Sequence, residues 1–286
     1  MRNPLKSGTP LGTSKARLAL AGAAVAALVA VPAGVAAAST GSPAHPAGNH
    51  PASAAKPTIV LEHGAWADGS SWDGVVARLQ KDGYTVDVPP NPLRGASDSA
   101  YLASYLATVS GPVVLVGHSY GGFVTTNAAT GDKNVKALVY VDAYIPAQGD
   151  TINSINAQFP GSQLTPDALN FVPSPGGVAD VYVKPSLFRS IFANDLPASE
   201  AAVLGATQEP IAASALTDVS GPPAWATIPS WDVIGTEDHA IPPAAQEFMA
   251  ARAHAQVTKI DASHLSMISH PVTVTGVIEE AARAIS

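Results

Sequence analysis

The stretch that decides the expected fold is Pro112-Val113-Val114-Leu115-Val116-Gly117-His118-Ser119-Tyr120-Gly121. Its apolar first half predicts a buried strand, and residues 122–129 predict a helix. A Gly-x-Ser-x-Gly sequence at such a junction is typical of a nucleophile elbow, a tight turn in which a strained serine presents its hydroxyl at the end of a sheet. Gly117 and Gly121 provide the lack of bulk that this turn requires. The alternative is an ordinary glycine-rich turn with an incidental serine.

Two partners for a nucleophilic serine follow in the order that an elbow requires. Asp238 comes just after a predicted strand at 230–235, and His264 comes just after another at 256–261. The carboxyl ends of parallel strands share one edge of the sheet, so Ser119, Asp238 and His264 are expected to meet there. This chain order differs from the orders in chymotrypsin and in subtilisin.

Other residues compete for the roles of acid and base. Glu237 is the direct neighbour of Asp238, and Asp142 follows an earlier predicted strand. His270 is an alternative base, but it stands before a proline and is expected to begin the last helix. We therefore favour Asp238 as the acid and His264 as the base. Two other histidines are interpreted as structural or pocket-lining: His118 and His239.

The chain resembles the α/β-hydrolase superfamily, and most of all its small branch of plant methyl esterases, hydroxynitrile lyases and related bacterial esterases. The resemblance spans roughly residues 57–286. Four motifs carry it: His63-Gly64-Ala65-Trp66, Gly117-His118-Ser119-Tyr120-Gly121-Gly122, Gly235-Thr236-Glu237-Asp238, and Ser263-His264 ahead of Ser269-His270-Pro271.

The expected fold is of the α/β class, an α/β-hydrolase fold with a mostly parallel six-stranded sheet and helices on both faces. The predicted strands lie at 58–62, 84–88, 113–116, 135–142, 230–235 and 256–261. The alternation of strand and helix stops over about 144–227. This segment is too long for a loop. We expect a helical lid there. Its aromatic and apolar residues indicate either a substrate pocket or lid core: Tyr144, Ile145, Phe188, Phe192 and Trp225.

The resemblance also implies an oxyanion hole, in which each backbone N–H donor stabilises the intermediate by about 3–4 kcal/mol. The amide of Tyr120 directly follows the nucleophile. The resemblance assigns the second amide to Ala65, in the loop after the first predicted strand, where Gly64 permits a close turn. Trp66 either forms a wall of the acyl pocket or packs in the core.

The function that the resemblance implies is cleavage of small carboxylic esters through an acyl-enzyme, with no cofactor and no metal. A hydroxynitrile lyase-like or cofactor-free haloperoxidase-like enzyme is the alternative. Lyases of this branch carry Lys after the catalytic His and Thr after the first-strand His, where this chain has Leu265 and Gly64. Epoxide hydrolases and dehalogenases use an Asp nucleophile, where this chain has Ser119. A binding protein without activity is disfavoured by the intact set of three residues.

Residues 1–38 are interpreted as a signal peptide. Four basic residues precede an apolar run at 18–31, and small residues at 35–39 suit cleavage. The run is shorter than the ~20 residues of a membrane span, so a retained anchor is the less favoured reading. Residues 39–56, rich in Pro, Ala, Ser and Gly, predict a flexible linker. We therefore expect a secreted protein whose hydrolase domain covers 57–286.

Composition narrows the possible functions. With 47% hydrophobic and 13% charged residues, the 286-residue chain suits one domain with a well-buried core. Loss of residues 1–38, which hold four basic residues and no acidic one, changes the formal net charge from −7 to −11. Such an acidic protein is not expected to bind nucleic acid, or a membrane after signal cleavage. The lack of cysteine excludes disulfides and thiolate catalysis.

Overall fold

A computed structural model describes residues 56–286, which form a central six-stranded sheet with all strands parallel. The strands of this sheet are β1 (Thr58–Glu62), β2 (Val86–Asp87), β3 (Val113–His118), β4 (Val135–Val141), β8 (Ser230–Gly235) and β9 (Gln256–Ile260). Their spatial order is β2-β1-β3-β4-β8-β9. The predicted α/β fold is thus confirmed, although β2 is shorter than predicted.

Helices cover both faces of the sheet, as predicted. Those outside the lid are α1 (Asp73–Lys81), α2 (Ala96–Leu106), α3 (Tyr120–Ala128), α7 (Pro243–Arg252), α8 (Ser266–Ser269) and α9 (Pro271–Ala284). Helix α1 packs against α9, and α2 packs against α3. Every residue of β3 is buried, which explains why its sequence is a continuous apolar run rather than an alternating one.

The turn from β3 into α3 has the strained geometry that its sequence predicted. Ser119 lies between them at φ 52° and ψ −124°, a conformation that L-residues rarely adopt. A Cβ atom on Gly117 would lie 2.7 Å from the Gly121 carbonyl oxygen, and one on Gly121 would lie 2.6 Å from the Glu62 carbonyl oxygen. Both positions therefore require glycine because the backbones approach too closely for a side chain.

The lid is the segment between β4 and β8. It contains α4 (Ile152–Gln158), α5 (Pro185–Phe192) and α6 (Ala198–Thr207). It also contains an antiparallel sheet that the sequence analysis did not predict, formed by β5 (Leu169–Val172), β6 (Asp180–Val183) and β7 (Ile211–Ala212). These strands have only two to four residues each, too few to produce a recognisable alternation of polar and apolar side chains.

The proposed signal peptide and residues 39–55 of the proposed linker lie outside the described residues, and both stay predictions. No helix within residues 56–286 has the length and the hydropathy needed to cross a bilayer.

Two carboxyl groups without a hydrogen-bond partner are buried on the face of the sheet where α3 lies. Glu62, Gly117, Tyr140 and Asp232 are register partners across β1, β3, β4 and β8, so they share the face of the sheet that α3 covers. All four oxygens of Glu62 and Asp232 are unpaired. Burial raises the pKa of both carboxyls well above the ordinary value, and the nearby charges of Asp98 and Asp142, respectively, raise it further.

These groups make the free energy of unfolding depend on pH. The unfolded chain releases both protons near pH 4, whereas the folded protein retains them, so stability falls as the pH rises above that value. We expect Glu62→Gln and Asp232→Asn to flatten this fall, with a larger gain relative to wild type at pH 8 than at pH 5. Denaturant unfolding across this range measures it, with the exposed Glu280→Gln as control. Equal slopes in wild type and both variants would contradict the prediction.

Candidate active site

Ser119, His264 and Asp238 come together just beyond the carboxyl ends of β3, β9 and β8. His264 Nε2 lies 2.8 Å from Ser119 Oγ, and His264 Nδ1 lies 2.7 Å from Asp238 Oδ2. The three residues are 4%, 0% and 3% exposed, respectively. The structure therefore places in one hydrogen-bonded row the three residues that the sequence predicted to meet at this edge.

The Asp238 carboxylate is surrounded by hydrogen-bond donors. Its Oδ1 accepts from the amides of Ala240 at 2.7 Å and Ile241 at 2.9 Å, and its Oδ2 accepts from Gln246 Nε2 at 2.8 Å. Burial raises the pKa of the Asp238 carboxyl, while these three donors act to lower it. Sequence analysis missed Gln246, because only the turn into α7 brings this residue back to Asp238.

The His264 imidazole is enclosed by two other rings. The His118 ring lies at a centroid distance of 4.8 Å, and the Phe192 ring of the lid lies edge-to-face at 4.9 Å. Burial lowers the pKa of His264, which favours the uncharged imidazole. With Nδ1–H directed at Asp238, Nε2 is then free to accept the Ser119 proton. His118 Nε2 lies 2.9 Å from the His264 carbonyl oxygen, so this histidine supports the loop as expected.

The alternative acids make no hydrogen bond to His264, and the alternative base makes none to Ser119. Asp142 accepts hydrogen bonds from the amides of Gly235 at 2.7 Å and Ser266 at 3.3 Å, and it makes no hydrogen bond to His264. Burial, followed by the charge of Asp238, raises the pKa of Asp142 well above its ordinary value. Glu237 is exposed, and His270 occupies the N-cap position of α9 without a capping hydrogen bond from its side chain.

The amides of Ala65 and Tyr120 fit the expected oxyanion hole. Both residues line a cavity together with Ser119. Neither amide donates a hydrogen bond to another group within residues 56–286, so both are free to bind a ligand oxygen.

The loop that carries Ala65 is fixed against the nucleophile. The Asn91 amide donates to His63 Nε2 at 3.1 Å, and Asn91 Nδ2 donates to the His63 carbonyl oxygen at 2.9 Å. A Cβ atom on Gly64 would lie 2.6 Å from Ser119 Cβ, so glycine allows the loop to reach the serine. Trp66 lines the cavity and also packs edge-to-face on Phe192. The two roles predicted as alternatives, a pocket wall and packing in the core, are thus both seen in this one side chain.

The cavity above Ser119 has a volume of about 310 Å³ and no charged side chain in its wall. Most of its lining is apolar and comes from the lid and its borders, with Tyr144, Ile152, Leu164, Leu169, Phe171, Ile211, Leu216 and Ile241. Two polar residues that sequence analysis missed, Asn153 and Asn156, also line it. Asn156 Oδ1 accepts a hydrogen bond from the Tyr144 hydroxyl at 3.1 Å.

The remaining residues of the predicted pocket set do not line this cavity. Phe188 and Phe192 are buried and stack at 5.1 Å. Ile145 is buried, and Trp225 Nε1 donates to the Pro146 carbonyl oxygen at 2.8 Å. No group of three or more metal-ligating side chains occurs in the described part of the chain. The hydrogen-bonded row and the free amides of Ala65 and Tyr120 can supply a nucleophile, a base and two amide donors.

Comparison with known proteins supports this fold. Residues 59–276 match the model of the alpha/beta hydrolase family. The structure is similar to the crystal structure of polyneuridine aldehyde esterase, with a TM-score of 0.69 and 17% sequence identity, covering 79% of this chain and 99% of that one.

Two curated relatives match over part of their length. A carbendazim hydrolyzing esterase of Nocardioides sp. is 34% identical over 113 residues, which cover 34% of this chain and 46% of that protein. A pyrethroid hydrolase of Sphingobium wenxiniae is 28% identical over 155 residues, which cover 49% of this chain and 55% of that protein. The matches thus span about half the length of these relatives.

Proposed function

This chain belongs to the alpha/beta hydrolase family, and we propose that it is a serine hydrolase that cleaves small carboxylic esters through an acyl-enzyme. The observation that carries the proposal is the continuous contact from Ser119 Oγ through His264 to Asp238, at 2.8 and 2.7 Å. The names of the two curated relatives, an esterase and a hydrolase, support the same class of reaction.

In the proposed mechanism, Ser119 Oγ attacks the ester carbonyl carbon while His264 Nε2 takes the hydroxyl proton. The amides of Ala65 and Tyr120 stabilise the oxyanion that forms. The intermediate collapses, the alcohol leaves with the proton from His264, and the acyl group stays on Ser119. Water then attacks the acyl-enzyme with His264 as base, which releases the acid and restores the serine. Asp238 holds the imidazole and stabilises its cationic form.

The proposed substrates are uncharged esters, because the cavity wall is mostly apolar and carries no charged side chain to pair with a substrate charge. Two positions that differ from the lyases, Gly64 and Leu265, argue against the lyase alternative. A threonine at position 64 would place its Cβ 2.6 Å from Ser119 Cβ in this loop conformation. Leu265, at the position of the lyase Lys, is buried and apolar.

Turnover of a panel of chromogenic acyl esters tests the proposed function. We expect hydrolysis of neutral esters, loss of activity after treatment with a serine-reactive phosphonate, and a matching mass increase on the peptide that contains Ser119. A negatively charged ester of the same length serves as control and should be a poorer substrate. Absence of turnover for every ester, with Ser119 unlabelled, would reject the function.

We also propose that the protein is exported, with a mature N-terminus near Ser39. The support is the basic start, the apolar run at 18–31 and the small residues at 35–39. N-terminal sequencing of protein recovered from the culture medium should find Ser39 or a close neighbour. If most of the extracellular protein begins at Met1 or Arg2, signal cleavage does not occur.

A further inference from the structure

The lid contacts both loops that carry the partners of Ser119, through two consecutive residues. Asn194 and Asp195 follow α5, and they face the loops of Asp238 and His264, respectively. We propose that Asn194 and Asp195 are positioning residues that hold the acid and the base of the active site at the distance that proton transfer requires. The catalytic consequence rests on the proposed function, whereas the positioning itself does not.

Asp195 binds the residue that directly precedes the base. Its Oδ2 accepts a hydrogen bond from the Ser263 amide at 3.1 Å. The Ser263 hydroxyl faces two acceptors, Asp195 Oδ1 and the carbonyl oxygen of Phe192 at 3.0 Å. Burial acts to raise the pKa of Asp195, but the hydrogen bonds from Ser263 and Ser269 outweigh it, and the pKa lies below its ordinary value. A carboxylate therefore holds the backbone next to His264.

Asn194 binds the residue that directly precedes the acid. Its Nδ2 donates to the Glu237 carbonyl oxygen at 3.2 Å. On the other side of Asp238, His239 Nδ1 lies 2.8 Å from the carbonyl oxygen of Ser190 in α5 and donates to it. Both chain neighbours of Asp238 are thus tied to the same part of the lid.

The lid segment is itself well anchored. Arg189 of α5 donates through Nε to the Leu196 carbonyl oxygen and through Nη2 to the Asn194 carbonyl oxygen, both at 3.3 Å. Phe192 packs its ring on His264. Since one fixed segment binds both loops, a change in it moves the acid relative to the base, and a misplacement of about 1 Å can cost about 10²-fold in rate.

The test compares Asp195→Ala and Asn194→Ala with a matched control in the full-length protein. Asp180→Ala removes a lid carboxylate whose side chain is 21% exposed, as that of Asp195 is, and which joins the lid to Arg94 away from the two loops. Each variant is assayed for kcat and KM on a neutral chromogenic ester, for melting temperature, and for hydrogen exchange in peptides covering 236–241 and 262–266. Asp195→Asn, which retains one acceptor oxygen, is the second variant if Asp195→Ala does not fold.

We expect Asp195→Ala to lower kcat by about 10- to 100-fold with little change in KM, and Asp195→Asn to lower it less. Exchange should rise at 262–266 in Asp195→Ala and at 236–241 in Asn194→Ala, and at neither segment in Asp180→Ala. The proposal is overturned if Asp195→Ala retains the wild-type kcat, or if exchange does not rise at 262–266 in Asp195→Ala and at 236–241 in Asn194→Ala. It is also overturned if Asp180→Ala has the same effects as these variants. If the wild type hydrolyses no ester, the proposed function fails, and the exchange data alone then decide whether these residues position the loops.

Discussion

Ser119→Ala is expected to remove ester hydrolysis by several orders of magnitude, up to about 10⁶-fold in kcat, while the protein remains folded. The substitution deletes one oxygen, which is the nucleophile of the proposed mechanism. The oxyanion hole and the cavity persist, so only the small acceleration that binding and amide donors provide should remain. Alanine has the same Cβ as serine, so the substitution adds no strain at φ 52°.

Purified Ser119→Ala is compared with Ser230→Ala, which removes the hydroxyl of an equally buried serine at the other end of the sheet. The control should retain wild-type turnover. Steady-state kinetics and thermal melting are measured for both. Near-wild-type turnover by a Ser119→Ala protein with unchanged melting would mean that another residue is the nucleophile.

Asp238→Asn is expected to lower kcat by about 10⁴-fold, the size of the effect of the equivalent change in serine proteases. An amide still forms a hydrogen bond with His264 Nδ1, but it favours the wrong imidazole tautomer and cannot stabilise the imidazolium. Asp142→Asn should act mainly on stability, because the Asp142 oxygens bind the amides of Gly235 and Ser266 rather than the imidazole. Glu237→Gln changes an exposed side chain and should be close to wild type.

The three variants are compared by kcat at one pH where the wild type is fully active, with melting temperatures as a check on folding. The ranking is what matters. An inactive Asp142→Asn beside an active Asp238→Asn would show that the acid is the residue after β4, even though its side chain makes no hydrogen bond to His264 in this structure.

Much of the fold could be predicted from the sequence because its signals are local. The apolar run before Gly117, the close glycines and the small lengths of the βα units identify the sheet and the turn at Ser119. The meeting of Ser119, Asp238 and His264 also follows from local patterns, since each residue stands just after a strand and parallel strands end at one edge.

The features that could not be predicted depend on contacts between distant segments. Asn194 and Asp195 reach loops more than forty residues away, and no periodic pattern marks them. The sequence placed Glu62 and Asp232 in strands, but only the register across four strands shows that both side chains lie on one face of the sheet, where neither has a hydrogen-bond partner. The lid sheet was missed because its strands are so short.

The lid leaves the sheet at the end of β4 and returns at the start of β8, and these strands are hydrogen-bonded neighbours. The insertion therefore begins and ends on adjacent strands. We expect that the whole segment between β4 and β8 can be replaced by that of another family member while all six strands of the central sheet are kept. Chimeras built this way would inherit most of the cavity wall from the donor. A donor segment without an Asn-Asp pair after its counterpart of α5 would bring a new specificity together with a poorly aligned base. The presence of this pair therefore indicates which donor segments suit such a chimera.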